Sequence, residues 1–436
     1  MSARNRELFG LIPVAGLLIA GFTAVFIVRG DQFGNLSLIF GAYFFAICLA
    51  AHIFLRIRLP NADPYLFPLC ALLAAIGLVM LYRIDEDLAR DQANWFVVGL
   101  ALFMLTIVFL KDYFILERYR YIIVTVGLIL LLLPRLPGIG AQVNGAYLGV
   151  DVGPVAFQPA EFGKIAVVIF LASYLREKRE VLVVGARRVA GITLPPLKHL
   201  GPMLVVWGAA MVLLVFIRDL GSSPMFFGAF LALIYVATNR ISFVIIGLTM
   251  FLAGAFFFAS TVGHVQDRID IWLDPYADPD GTGYQLLQGM FAQADGGLFG
   301  RGLGESLLKS PGADTTLIPA VDTDFIYALI ANELGLFGAC GVIAIYVLIA
   351  ARGFKIAVIA PDGFSKLLAA GLTAVFALQA FVIIGGVVRV IPLTGVTLPF
   401  ISKGGSSILA NMVLLALLLL ISDRARRPQA NPEGAY

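Results

Sequence analysis

The chain has little charge. Asp, Glu, Lys and Arg make up 14 % of its 436 residues, against 60 % apolar residues and a mean hydropathy of +0.93. Soluble domains carry roughly 25 % charged residues. A water-soluble protein is therefore excluded, and an integral membrane protein is indicated. Cysteine is nearly absent: Cys48, Cys70 and Cys340 all fall in apolar runs, with no CxxC or Cys/His spacing. That excludes a disulfide framework and a zinc site. His52, His199 and His264 are scattered and form no ligand cluster. A net charge of +3 says little about partners, and no nucleic acid is expected among them.

What is present is a series of apolar runs. Twelve are near the length of about 20 residues that a membrane helix needs. They are Leu11–Val28, Leu36–Leu55, Leu66–Leu81, Trp95–Leu110, Tyr121–Leu133, Ala160–Leu175, Met203–Ile217, Pro224–Ala237, Ile241–Ser260, Phe325–Ala350, Leu367–Val388 and Ser406–Ile421. The first is too long for a signal-peptide core and is followed at once by another. The expected fold is all-α and polytopic, with about twelve transmembrane helices. Its long loops are Val181–His199 and Thr261–Ala320, and no soluble domain is expected.

Lys and Arg set the orientation. With the N-terminus cytoplasmic, twenty fall in inner segments and ten in outer ones, and Lys164 lies within a span. This two-to-one bias places both termini inside and the Thr261–Ala320 loop outside. Arg218, Arg389 and Lys403 then sit where spans meet short outer loops. Each reads singly as a snorkelling side chain. Together they offer a site for a diphosphate.

The stretch Val321–Glu333, VDTDFIYALIANE, places Asp324 at or just inside the first turn of a long apolar helix. An acid at the mouth of a span is either a helix cap or a functional group that something partners. Glu333 stands nine residues on, half a turn out of phase with about 13 Å of rise between them, so the two do not form a carboxylate pair. In Gln158–Lys164, QPAEFGK, Glu161 and Lys164 are three apart and can pair on one helix face. That pair either orients the helix or lines a polar pathway. Asn144 lies in a turn-rich outer loop and reads as a turn or as a sugar contact. Asp219, in RDLGSS, reads as a cap for the helix that follows, beside Arg218. Asp278–Tyr284 lacks EF-hand spacing, and the flexible run Gly296–Gly304 lacks a Walker ending. Ile391–Ser407 is broken by Pro and Gly at membrane depth, so it must line protein or a wet cavity. Its last residues, through Ser406 and Ser407, lead into a helix whose N-terminal amides suit an anion.

At these motifs the chain resembles the SEDS family of RodA, FtsW and SpoVE proteins. The resemblance rests on GAQVNGA, QPAEFGK, RDLGSS, WLDPYADPDGTGYQ, GGLFGRGLG, TDFIYALIANELG and IPLTGVTLPFISKGGSSILAN, in this order over Pro64–Ser422. It leans toward RodA in the form with two extra N-terminal helices. The implied division is residues 1–60 for that pair, 61–424 for the ten-helix core and 425–436 for a cytoplasmic tail.

The resemblance implies a peptidoglycan glycosyltransferase of the bacterial cytoplasmic membrane. It would polymerise lipid II on the outer face beside a class B penicillin-binding protein, among elongasome or divisome proteins and membrane lipids. Asp324 maps onto the family's essential acid, and Glu161 and Lys164 onto residues lining its cavity. Asp324 would act as the base. Lys403, Arg389, Arg218 or a divalent cation, magnesium or manganese, would stabilise the leaving diphosphate. The chain departs from the family pattern at Asp322, often His; at Lys403, usually Tyr; at Asn332, usually an acid; and at Tyr147–Gly149, where basic residues are usual. The alternative reading is a flippase for lipid-linked cell-wall precursors.

Overall fold

The computed structural model describes residues 2–427 apart from 30–35, 137, 139, 144–145, 153–154, 185–186, 190–191, 195–200, 202–203, 206, 210, 213–220 and 307–315. Among the described residues, eight helices are long and apolar enough to cross a membrane. They are α1 (Ala3–Arg29), α2 (Leu36–Arg58), α3 (Leu66–Ile84), α4 (Glu86–Phe109), α9 (Ile241–Thr261), α12 (Ile326–Ile359), α13 (Gly363–Val387) and α14 (Gly405–Ala425). Shorter or more polar helices stand between them: α5 (Ile115–Arg118), α6 (Arg120–Leu132), α7 (Ala160–Val184), α8 (Ser222–Thr238), α10 (Gly263–Leu273) and α11 (Tyr284–Gly296). Apolar sequence gives helix here because only internal backbone hydrogen bonding satisfies peptide groups in hydrocarbon.

Most bounds fall close to the apolar runs. Differences reach nine residues, as at the ends of α7 and α12 beyond Leu175 and Ala350 and at the start of α4 before Trp95. Asp85 caps α4, accepting from the amides of Asp87 and Leu88, and Glu86 and Asp87 fill its first turn. Eight of the fifteen residues of the predicted span Met203–Ile217 lie outside the described residues.

Two small antiparallel sheets join the helices. β1 (Gly140–Val143), β2 (Ala146–Val152) and β3 (Val155–Phe157) form a meander between α6 and α7, and β4 (Arg187–Val189) pairs with β5 (Ile192–Leu194). α14 packs on α4, α13 lies between α12 and α8, and α7 packs on α6 and α13. α1 packs between α3 and α2, and α2 also touches α4.

Two features lock this bundle. The first is a break in α12 at Gly335, where φ is 66° and ψ is −169°. The break frees backbone groups, and the Gly-rich run after α11 takes them up. Arg301 and Gly302 donate to the carbonyls of Asn332 and Glu333, while Leu336 and Phe337 donate to those of Gly297 and Leu298. A flexible run was expected at Gly296–Gly304. Instead it is a close-packed clamp, with Gly297, Gly300, Gly302 and Gly304 all at positive φ. A Cβ at Gly300 would meet the Glu333 carbonyl oxygen at 2.1 Å. Glu333 is fixed there by Arg83 at 3.1 Å and by the amide of Gly304 at 3.0 Å.

The second feature is a polar knot toward the other end of α12. Asp63, fully buried between α2 and α3, accepts from Arg352 and from Arg426, each at 2.5 Å. Beside it, Arg4 donates to the carbonyl of Ala62, and Glu7 joins Arg4 to His52 of α2.

Candidate active site

The residues before α12 form a tight turn. Ala320, itself at φ 52°, accepts at its carbonyl from the amides of Thr323 and Phe325. The helix starts at Ile326 after Phe325, so Asp324 precedes the cap position. Among the described residues its carboxylate caps nothing, so the helix-cap reading of Asp324 is removed.

The loop Ile391–Gly404 holds this turn from the facing side. Ser402 donates its hydroxyl to the carbonyl of Thr323 at 2.6 Å and accepts from the Leu398 amide. The Lys403 amide donates to the carbonyl of Asp322 at 2.9 Å. Gln92 of α4 donates to the Ser402 carbonyl and accepts from Gly404 N–H. Tyr346 of α12 donates to Pro399. The backbone carrying Asp324 is thus tied from both sides. Phe400, at φ 66°, belongs to the same loop and packs its carbonyl and that of Ile401 against Gly77 of α3.

Asp324 itself faces Gly395. Its Oδ2 and the Nη2 of Arg268, from α10, flank the open face of Gly395, which has φ 73°. Burial raises the Asp324 pKa to about 6; Arg268 acts against that rise and Asp322 adds to it. The hydroxyls of Thr394 and Thr397, in the same loop, are buried without a partner among the described residues.

Glu161 and Lys164 form the expected pair, at 2.5 Å and almost wholly buried. A third residue closes the ring: Lys164 donates to the Gln379 amide oxygen at 2.6 Å, and Gln379 donates to Glu161 and to the carbonyl of Thr397. This buried triad therefore supports the loop that carries Gly395. Ser406 joins it by accepting from the amide of Gln158, just before α7.

Other expected residues stand apart. The Arg389 guanidinium donates to the carbonyls of Trp272 and Leu273, and Trp272 donates back to Arg389. That fastens α10 to the end of α13 instead of facing Asp324. The Lys403 ammonium lies 3.6 Å from Asp322. Ser407 is held by Asn411 within α14. Asn144, Arg218 and Asp219 lie outside the described residues.

Sequence reasoning missed Arg268, Gln379, Ser402 and Gln92 as site residues. Gln379 carried a signal, a lone amide in an apolar span. Arg268 stands four residues before the motif WLDPYADPDGTGYQ. Among the described residues, no group of three or more His, Cys, Asp and Glu side chains is placed to hold a metal ion.

Fold and site together define a polytopic membrane protein with a buried ion pair in its bundle and a carboxylate beside a glycine and an arginine at one helix mouth. The family of cell cycle proteins comprising FtsW, RodA and SpoVE matches residues 64–427, and the chain belongs to that family. It is 41 % identical to the peptidoglycan glycosyltransferase RodA of Mycobacterium tuberculosis (strain ATCC 25618 / H37Rv) over 439 residues, 98 % of this chain and 92 % of that one. Identity to RodA of Mycobacterium leprae (strain TN) is also 41 %, over 95 % of this chain and 91 % of that one. Among solved structures, a chain of a peptidoglycan synthase complex described as coordinating polymerization and crosslinking superposes with a TM-score of 0.66 and 26 % identity. It covers 84 % of this chain and 99 % of that one. The rod shape determining protein RodA of Thermus thermophilus gives 0.59 and 25 %, over 84 % and 98 %.

Proposed function

We infer that the chain is a peptidoglycan glycosyltransferase that polymerises lipid II into β-1,4-linked glycan strands and releases undecaprenyl diphosphate. Similarity to RodA along 98 % of the chain supports the activity. The setting of Asp324 carries the mechanism: a carboxylate held by two loops, free of hydrogen-bond partners among the described residues, with its pKa raised to about 6.

A sugar hydroxyl is a poor nucleophile until its proton is taken. Asp324 takes it as the oxygen bonds to the anomeric carbon. The bond from that carbon to the diphosphate oxygen breaks, and the diphosphate leaves with the electron pair. One in-line displacement turns the α-linked donor into a β-linked strand. Glu161, Lys164 and Gln379 support the loop facing Asp324 rather than reacting.

In this reading the Lys and Arg bias puts both termini in the cytoplasm and Asp324 at the outer face of the cytoplasmic membrane. The partner is a class B penicillin-binding protein, in elongation or division. The crosslinking complex among the structural relatives supports that partner. Residues 1–60 are an addition to a core of 61–424, consistent with a family match that begins at residue 64.

The test is polymerisation of lipid II by purified protein in detergent, where no two sides exist to flip between. Wild type forms strands and Asp324→Ala forms none. Strand synthesis by that variant sinks the assignment of the base, and no synthesis by wild type favours a flippase. Repeating the assay with EDTA, magnesium or manganese decides whether a divalent cation takes part.

A further inference from the structure

The departing diphosphate needs a cation near Asp324, and two of the expected ones, Arg389 and Lys403, are engaged elsewhere, while Arg218 lies outside the described residues. Arg389 holds two backbone carbonyls, and Lys403 faces Asp322. Arg268 is differently placed. Its Nη1 is anchored on the carbonyl of Leu393 at 2.7 Å, which fixes the plane of the guanidinium. Among the described residues no ion pair engages it, so its charge is not cancelled by a contacting carboxylate.

Arg268 and Asp324 come together at Gly395. A Cβ placed there would lie 3.5 Å from Asp324 Oδ2 and 4.0 Å from Arg268 Nη2, the two atoms within 4 Å beyond its own chain neighbours. A carboxylate oxygen and a guanidinium nitrogen thus approach the same face of a residue with no side chain. Glycosyl transfer from a lipid diphosphate needs that pairing: an acceptor for the hydroxyl proton and a cation for the oxygen that leaves.

We propose that Arg268 receives the charge of the departing diphosphate, from across the open face of Gly395 opposite Asp324. The proposal rests on the reading of Asp324 as the base and deepens it. As the bond from anomeric carbon to oxygen breaks, its electron pair stays on the diphosphate, and the Arg268 fork meets that oxygen with paired N–H donors. Meanwhile the proton passes to Asp324, so both new charges are met beside Gly395. Arg268 also opposes the effect of burial on Asp324, while Asp322, itself facing Lys403, adds to it.

The experiment uses the full-length protein in detergent with farnesyl diphosphate as the binding probe, alongside lipid II polymerisation across pH. Arg268→Gln, which can still donate to Leu393, should weaken farnesyl diphosphate by about tenfold or more and slow polymerisation by roughly 100-fold, as loss of a charge-stabilising donor does. It should also move the acid limb of the pH profile upward, which loss of mere packing does not do. Asp324→Asn should stop polymerisation while binding farnesyl diphosphate at least as well as wild type. Unchanged probe affinity and rate in Arg268→Gln overturn the proposal. If that variant does not fold, Arg268→Lys replaces it; its single ammonium should lose affinity for the probe, and unchanged affinity again overturns the proposal. Polymerisation by Asp324→Asn instead removes the base and leaves the binding result for Arg268 to be read by itself.

Discussion

The hydroxyl of Ser402 donates to the carbonyl of Thr323 at 2.6 Å, one residue before Asp324. A loop after α13 therefore sets the backbone that presents the proposed base. Ser402→Ala should lower kcat by about tenfold, because small misplacements of reacting groups are costly. The lost hydrogen bond should reduce stability by only about 1 kcal/mol. Lipid II turnover and thermal unfolding of the same preparation check both; equal kcat denies Ser402 this positioning role.

The Asp324 pKa of about 6 sets a pH window. The base works when deprotonated, so the rate should rise with pH through about 6 and level above it. The stability sign is opposite. A carboxyl whose folded pKa is raised by burial destabilises the fold when ionised, so Asp324→Asn should stabilise the inactive protein near pH 7, on the order of 2 kcal/mol. Across a melting series the gain should be small below the ordinary Asp range, grow as pH rises toward about 6 and stay constant above it.

Lys164→Met leaves Glu161 buried without its cation, and removing one partner of a buried pair costs about 3–5 kcal/mol. The double change Glu161→Gln with Lys164→Met should recover most of that loss. If the recovered protein polymerises lipid II, the triad acts by holding the Thr397 loop. If it folds but makes no strands, the charges act on substrate.

The apolar runs made most helices legible, because hydrocarbon allows few other solutions. The start of α4 was not, since Asp85 and the charged first turn fall outside any apolar run. Asp324, Glu161 and Lys164 were legible as ionisable groups at or within spans. Arg268 was not, because it and Asp324 meet only across a third segment, the loop with Gly395. Glycine content misled at Gly296–Gly304, where the absence of Cβ atoms permits close backbone approach as readily as it permits motion. Arg389 misled in the opposite way: its charge was visible, but the carbonyls that occupy it were not.

Gly335→Ala tests the clamp. Its φ of 66° disfavours a side chain, and a Cβ would lie 2.3 Å from the Gly300 amide nitrogen. Combined strain and displacement should cost more than about 2 kcal/mol. Protease sensitivity within 297–304 should rise together with the fall in melting temperature, and a variant as stable as wild type would discount the clamp.

Asp63→Asn leaves Arg352 and Arg426 facing each other without their shared anion. Burial raises the Asp63 pKa, but hydrogen bonds from Arg352 and Tyr65 and the charge of Arg426 outweigh it, so the net pKa is lowered. Its stabilisation is therefore present above the ordinary Asp range and fades as pH falls below it. The variant should lose about 3 kcal/mol at pH 7, and the gap to wild type should narrow on acidification in a detergent melting series.

The Asp63 knot has a consequence for biogenesis. Arg426 is made 363 residues after Asp63, which is tens of seconds at roughly 5–20 residues per second on the ribosome. For that interval the earliest hairpins carry an acid whose second counterion does not yet exist. Until then water or another protein must shelter it, and the polypeptide reaches its locked form only when its last helix arrives.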